Sequence, residues 1–140
     1  MTIINNAAPL PLTGLRILAV EQYGAGPAGT VYMADLGAEV IKIENLRDGG
    51  DVGRSVGPHF FGPGDSQFFQ TFNRNKKSIA LDLQTDAGQS VLRDLARTAD
   101  GITNNLRGDL PAKLGLTYAD LADCNPRIVC CHLSAYGRRS

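Results

Sequence analysis

Three stretches of this 140-residue chain place residue types at spacings suited to holding an anion. The first is Gly24-Ala-Gly-Pro-Ala-Gly29, a literal G-x-G-x-x-G, with an acid, Glu44, twenty residues after Gly24. On spacing alone this is a dinucleotide-binding fingerprint: glycines for a tight turn and close backbone approach, a helix N-terminus for phosphate, and an acid for a ribose hydroxyl. The same residues also make an ordinary tight strand-to-helix turn. The second stretch is Asn73-Arg-Asn-Lys-Lys77, which runs into the alternating segment Ser78-Ile-Ala-Leu-Asp-Leu83. Arg74, Lys76 and Lys77 offer charge to phosphates, and Asn73 and Asn75 brace a loop or donate hydrogen bonds; the competing reading is a solvated basic turn. The third is Asn104-Asn-Leu-Arg107 with Lys113 beyond it. Amide-plus-cation chemistry at two strand ends favours a single anionic ligand.

Nucleophilic chemistry finds little support. Cys131 and His132 are neighbours, but they fall in the apparent strand Arg127-Ile-Val-Cys-Cys-His-Leu133, where consecutive side chains point to opposite faces. His59 stands alone in a Gly/Pro-rich loop. The three cysteines, Cys124, Cys130 and Cys131, have neither the even count of a disulfide framework nor the spaced pairs of a zinc site, and are expected to be reduced and mostly buried. No metal site is expected.

The elements that must position these residues alternate along the chain. Leu15–Val20 is a buried-strand run, Pro27–Leu36 is helical with Gly37 at the C′ position, and Ala38–Ile43 is a second strand. From Asn45 to Asp65 the composition turns to Gly, Pro and charge, which reads as a long mobile loop of the kind that serves a site. A short apolar segment, Phe68–Phe72, precedes the strand Ser78–Leu83. Thr85 then caps a helix that ends near Ala99, with Val91, Leu92, Leu95 and Ala96 as its apolar stripe. Strand Gly101–Asn105, short helices at Pro111–Leu114 and Tyr118–Ala122, and the strand from Arg127 complete the pattern. This is βαβ repetition, hence an α/β fold with a Rossmann-like parallel sheet flanked by helices. In such sheets the chemistry lies beyond the carboxyl ends of the strands.

Composition bounds the function. With 43% hydrophobic residues the chain has material for one domain with a real core, and residues 1–10 read as a flexible tail ahead of a domain over 11–140. Fourteen basic residues balance fourteen acidic ones, so no global field draws the protein onto nucleic acid, and any anion site must be local. No apolar run reaches the roughly 18 residues of a membrane-spanning helix, and the start lacks the pattern of a signal peptide. A cytoplasmic protein is therefore expected.

Several segments together resemble the amino-terminal part of the family III CoA-transferases, the CaiB/BaiF family. They are the run Pro11–Glu44, Gly50-Asp51 with Arg54, Phe72–Gly88, Leu106–Val129 and Leu133–Gly137; "LGAEVIKIE", "NRNKKSIALDL" and "NPRIV" are the most specific. The resemblance implies a Rossmann-like domain binding coenzyme A rather than NAD, within an interlocked homodimer that acts on an acyl-CoA and a carboxylic acid. By the same likeness, Gly24 and Ala25, Asn45, the segment Leu81, Asp82, Leu83 and Gln84 on the strand, and Asn105, Leu106 and Arg107 line the CoA cleft, with Lys113 where relatives often carry arginine. Asn73–Lys77 would then serve mainly to position the strand. Gly24 stands where some relatives present glutamine, and Asn45 where others have arginine. The family nucleophile, an aspartate in a G-x-D setting past the S-x-x-G element matched by Ser134–Gly137, falls beyond Ser140. The implied activity is CoA transfer through an aspartyl-CoA thioester, with these 140 residues supplying the CoA-binding part and inactive alone. An α-methylacyl-CoA racemase of the same family, and the NAD-binding domain of an oxidoreductase, are the alternatives.

Overall fold

The computed structural model describes residues 8–137, so the expected tail lies mostly outside the described residues, as do Arg138, Arg139 and Ser140. The chain order is β1 (Arg16–Val20), α1 (Ala25–Asp35), β2 (Glu39–Glu44), two 3-10 turns (Leu46–Asp48 and Val52–Ser55), β3 (Phe60–Gly62), β4 (Asp65–Ser66), α2 (Gln67–Asn73) and β5 (Lys77–Ala80). It continues through α3 (Asp86–Ala96), β6 (Gly101–Asn104), α4 (Leu110–Lys113) and α5 (Tyr118–Leu121) to β7 (Val129–His132). Five strands form one parallel sheet in the order β5-β2-β1-β6-β7, and β3 pairs antiparallel with β4 in a separate hairpin.

β1 is central, with Leu18 and Ala19 fully buried and facing opposite sides. On one face Leu18, Val20, Ile43 and Ile102 pack under α3 and α5 through Leu92, Ala96 and Leu121. On the other, Ala19 and Val40 meet Ala34 and Ala38, whose small side chains bring α1 close to the sheet. Each fully buried leucine in the larger cluster contributes about 1.5–3 kcal/mol. α1 ends at Leu36, and Gly37 takes φ +100°, the left-handed C′ conformation expected of it. Thr85 caps α3 as expected, its Oγ1 accepting the Gly88 N–H at 3.1 Å.

Three expectations are corrected. The strand anticipated over Ser78–Leu83 ends at Ala80, because its partner β2 ends at Glu44; the Leu81 N–H makes a last bond to the Glu44 carbonyl at 3.0 Å. Leu81–Gln84 instead form a turn, in which the Asp82 carboxylate accepts from the Gln84 N–H at 3.0 Å and its carbonyl from the Thr85 hydroxyl at 2.8 Å. The segment Asn45–Asp65 is not a mobile loop but carries two 3-10 turns and a hairpin, pinned to the sheet by Asp51 and Arg54. The cysteines are free but not mostly buried: β7 is an edge strand, with Cys131 exposed and Cys130 half-buried, and Cys124, in the turn after α5, is half-buried as well.

Candidate functional site

The carboxyl ends of β1 and β2 and the lead-in to β5 converge on a set of buried charges. Lys76 Nζ lies 2.9 Å from Glu21 Oε1, and Lys42 Nζ 2.8 Å from Asp51 Oδ2, all four side chains being at most 1% exposed. Arg54 Nη2 meets Glu44 Oε1 at 2.7 Å. Charges so deep persist only where hydrogen bonds replace the lost water. Lys76 donates to Glu21, to the Pro27 carbonyl at 3.0 Å and to Asn73 Oδ1 at 3.2 Å. Lys42 donates to the Glu21 carbonyl at 2.9 Å, while its pairing with Asp51 Oδ2 is a charge contact without hydrogen-bond alignment. Thr30 donates its hydroxyl to Glu21 Oε1 at 2.5 Å. Burial pushes the Lys76 ammonium below the usual lysine range, against the opposing pull of Glu21.

Glu44, the acid of the apparent fingerprint, is fully committed. Its carboxylate accepts from Arg54 Nε and Nη2 at 2.8 and 2.7 Å, from Ser78 Oγ at 2.7 Å and from the Asp51 N–H at 3.0 Å. Burial acts to raise its pKa, but the bonds from Arg54, Ser78 and Asp51, with the guanidinium charge, outweigh it and hold the group down to about 2. The Arg54 guanidinium stacks over Phe69, 3.8 Å from the ring centroid. A carboxylate held this way has no lone pair to spare for a ribose. The glycines divide likewise: a Cβ on Gly26 would lie 2.9 Å from Asn105 Cγ and Glu21 Cβ, whereas one on Gly24 or Gly29 would meet nothing within 4 Å. The motif's middle glycine is thus a packing requirement between α1 and the β6 end.

Beside this network a cleft of about 210 Å³ opens at the strand ends. Val20 and Ile43 form its floor, Asn45 and Gln84 its polar lips, and Leu83, Leu106, Leu110 and Leu114 an apolar wall. Asn45, Leu83, Gln84 and Leu106, four of the residues the family likeness points to, are among those that line it. Leu81 and Asp82 turn instead into a shallow recess of about 160 Å³ shared with Asn45, Arg47 and Ala80. The Asn105 amide is spent on the Gln22 backbone, accepting from its N–H at 2.9 Å and donating to its carbonyl at 2.8 Å, so it ties the β1–α1 turn to the β6–α4 loop. Arg107 borders a third opening of about 700 Å³, against Ser134–Gly137. Lys113 pairs with Asp109 at 2.8 Å, and Arg107 approaches the same carboxylate at 3.3 Å. Gly24 and Ala25 sit at the α1 N-terminus, outside the residues that line these openings.

In the basic stretch Asn73–Lys77 each cation is paired within the protein, Lys76 buried and Arg74 and Lys77 exposed. Lys76 is buried on Glu21, Arg74 reaches Asp35 at 2.5 Å with Asn75 beside it at 2.9 Å, and Lys77 pairs with Glu39. These contacts tie the lead-in of β5 to α1, to β2 and to the end of β1. Glu21 and Lys42 were not singled out by sequence reasoning, although a lysine inside the apolar run Val40-Ile-Lys-Ile43 is a signal that a buried acid must answer it. Cys131 is exposed, while His132 Nδ1 lies 2.8 Å from Asn104 Nδ2, so the neighbouring pair shares no site. His59 is exposed. No group of three potential metal ligands comes together among the described residues, and none of their helices is long and apolar enough to cross a membrane.

A parallel α/β sheet with its cleft beyond the strand ends, and a committed acid where a nucleotide ribose would need a free one, defines a Rossmann-like domain that departs from the NAD-binding type. A sequence profile of CoA-transferase family III matches residues 12–140, and the chain belongs to that family. It is 38% identical over 143 residues to the succinate–glutarate CoA-transferase of Agrobacterium fabrum, covering 99% of this chain and 35% of that protein. It is also 38% identical to the human succinyl-CoA:glutarate CoA-transferase, over 91% of this chain and 29% of that one. Among solved structures, a CaiB/BaiF family protein from Brucella suis superposes with a TM-score of 0.86 at 32% identity, over 95% of this chain and 35% of that one. Rv3272 of Mycobacterium tuberculosis gives 0.85 at 36% identity, over 96% and 37%. The chain thus spans about a third of the length of these relatives.

Proposed function

We propose that this chain supplies the coenzyme A-binding part of an enzyme that moves CoA between an acyl-CoA and a carboxylic acid. The observation that carries this reading is the cleft itself. Its apolar wall of Leu83, Leu106, Leu110 and Leu114 and polar lips at Asn45 and Gln84 suit a heterocyclic base and sugar, while Glu44 is locked to Arg54. A recess of about 210 Å³ is smaller than the ~300–1,000 Å³ of sites that enclose a whole drug-sized ligand, so only part of CoA enters it. The rest would run over the β6–α4 loop toward the opening between Arg107 and Ser134.

The proposed chemistry follows from what a thioester offers. An aspartate carboxylate attacks the thioester carbon and releases the CoA thiolate, leaving a mixed anhydride. The thiolate then attacks the aspartyl carbonyl and expels the donor carboxylate, which leaves an aspartyl-CoA thioester. Attack by the acceptor carboxylate and return of the thiolate complete the exchange, with amide donors stabilising each oxyanion. By family likeness the nucleophile lies beyond Ser140. Asp82 and Asp109 do not fit that part, since Asp82 is tied to Arg47 and Asp109 to Lys113.

Calorimetric titration with CoA and with NADH tests the reading. Binding of CoA without NADH is expected; binding of NADH without CoA would overturn it. In a longer protein carrying the G-x-D element, mass spectrometry after acyl-CoA addition should find the aspartyl-CoA adduct. Proton exchange alpha to the thioester with no adduct would point to the racemase.

A further inference from the structure

We infer that Arg47 is the phosphate-contacting cation on the β2 side of the cleft; this rests on the CoA reading above. The argument begins from charge. Four carboxylates, Glu21, Glu44, Asp48 and Asp51, stand among the residues lining the cleft, and no lysine or arginine does. Lys76, Arg54 and Lys42 neutralise three of the four, and those cations are consumed in doing so. The fourth, Asp48, accepts from Asn45 Nδ2 at 3.1 Å. A phosphate arriving here meets acidic walls unless a cation at the rim answers it.

On the β6 side, Arg107 and Lys113 share the single carboxylate of Asp109. On the β2 side stands Arg47, in the 3-10 turn Leu46–Asp48. Its backbone N–H is fixed by Asn45 Oδ1 at 3.0 Å, so the base of the side chain is anchored to a residue that lines both the cleft and the neighbouring recess. Its Nε lies 2.7 Å from Asp82 Oδ2, while neither Nη donates a hydrogen bond among the described residues, and the side chain is 69% exposed. Only the arginine end of this pair is exposed, Asp82 Oδ2 being shielded from solvent. The guanidinium can therefore keep Asp82 as a partner through Nε and present its two outer nitrogens to a phosphate, the fork geometry arginine is suited to.

CoA offers two phosphate chemistries, the 3′-phosphate monoester and the diphosphate, and titration with CoA and 3′-dephospho-CoA separates them. The unsubstituted protein, Arg47→Ala and a charge-matched control, Arg127→Ala, are compared, Arg127 lying before β7 at the opposite end of the sheet. About tenfold weaker CoA binding by Arg47→Ala is expected, with Arg127→Ala unchanged. Unaltered dephospho-CoA binding by Arg47→Ala assigns the monoester; an equal loss with both ligands assigns the diphosphate. Equal losses from both substitutions, or none from Arg47→Ala, would overturn the inference while leaving the CoA reading intact. Absence of CoA binding by the unsubstituted protein would remove the CoA reading itself, and this inference with it. Because Arg47 is exposed, an unchanged thermal midpoint is expected to verify that the variant is folded.

Discussion

Asp51 Oδ1 accepts the backbone N–H of Tyr23 at 2.7 Å, and Tyr23 holds φ +66°, a left-handed conformation uncommon outside glycine. The same carboxylate accepts from the Gly53 N–H at 2.8 Å and faces Lys42 through its other oxygen. One buried acid thus fixes the β1–α1 turn, starts a 3-10 turn and neutralises a lysine inside the sheet. Tyr23 then stacks on Phe68 of α2, with ring centroids 4.9 Å apart.

Removing that acid should cost more than removing any one bond. Asp51→Ala leaves Lys42 charged and unpaired, so a loss of about 3–5 kcal/mol in urea unfolding is expected. Asp51→Asn, which keeps an acceptor for the Tyr23 and Gly53 amides, should lose less. Equal losses would mean that the charge of Lys42, not the turn, sets the whole effect.

Glu44 predicts an acid transition. Its folded pKa of about 2 lies below the ordinary 4.5, so its contribution is complete above about pH 4.5 and drains away as the pH falls through about 2. The depression corresponds to something on the order of 3 kcal/mol at neutral pH. The stability gap between the unsubstituted protein and Glu44→Gln, followed by urea midpoints, should narrow across that window. A gap that stays constant from neutral pH to pH 2 would show that the Arg54 pair is not its source.

The first and middle glycines of the motif can be told apart by adding one methyl group. Gly26→Ala forces a Cβ within 2.9 Å of Asn105 and Glu21 and is expected to cost about 1–3 kcal/mol, with weaker CoA binding as Asn105 shifts. Gly24→Ala meets open space and should leave the thermal midpoint nearly unchanged. Equal sensitivity at both positions would return the motif to its dinucleotide reading.

The parallel sheet, the cap at Thr85 and the left-handed Gly37 were legible because each is written in local chemistry: alternating or continuous apolar runs, a hydroxyl before a helix, a glycine after one. The strand over Ser78–Leu83 was read too long because apolar alternation continues through the turn, and only the end of β2 at Glu44 limits the pairing. Composition marked Asn45–Asp65 as irregular but could not reveal that Asp51 and Arg54 bind it to the sheet. The burial of Lys76 was not legible. All five residues from Asn73 to Lys77 look alike in the sequence as surface polar groups, and Lys76 is buried against an acid 55 positions earlier. The contact of Arg47 with Asp82 is hidden for the same reason, since 35 residues separate them in the chain.

That sequence distance has a consequence for how the molecule assembles. Glu21 sits at the end of the central strand, while Lys76 arrives with the lead-in to the edge strand β5. Until β5 docks, Glu21 must stay in contact with water, because the low-dielectric site offers it no other cation than Lys42, which is committed to Asp51. A β1-α1-β2 unit on its own therefore cannot close over its carboxyl end without stranding Glu21, and closure requires a contact of high sequence separation. A chain that stalls midway presents an open, hydrated strand end in place of a collapsed imitation of the site.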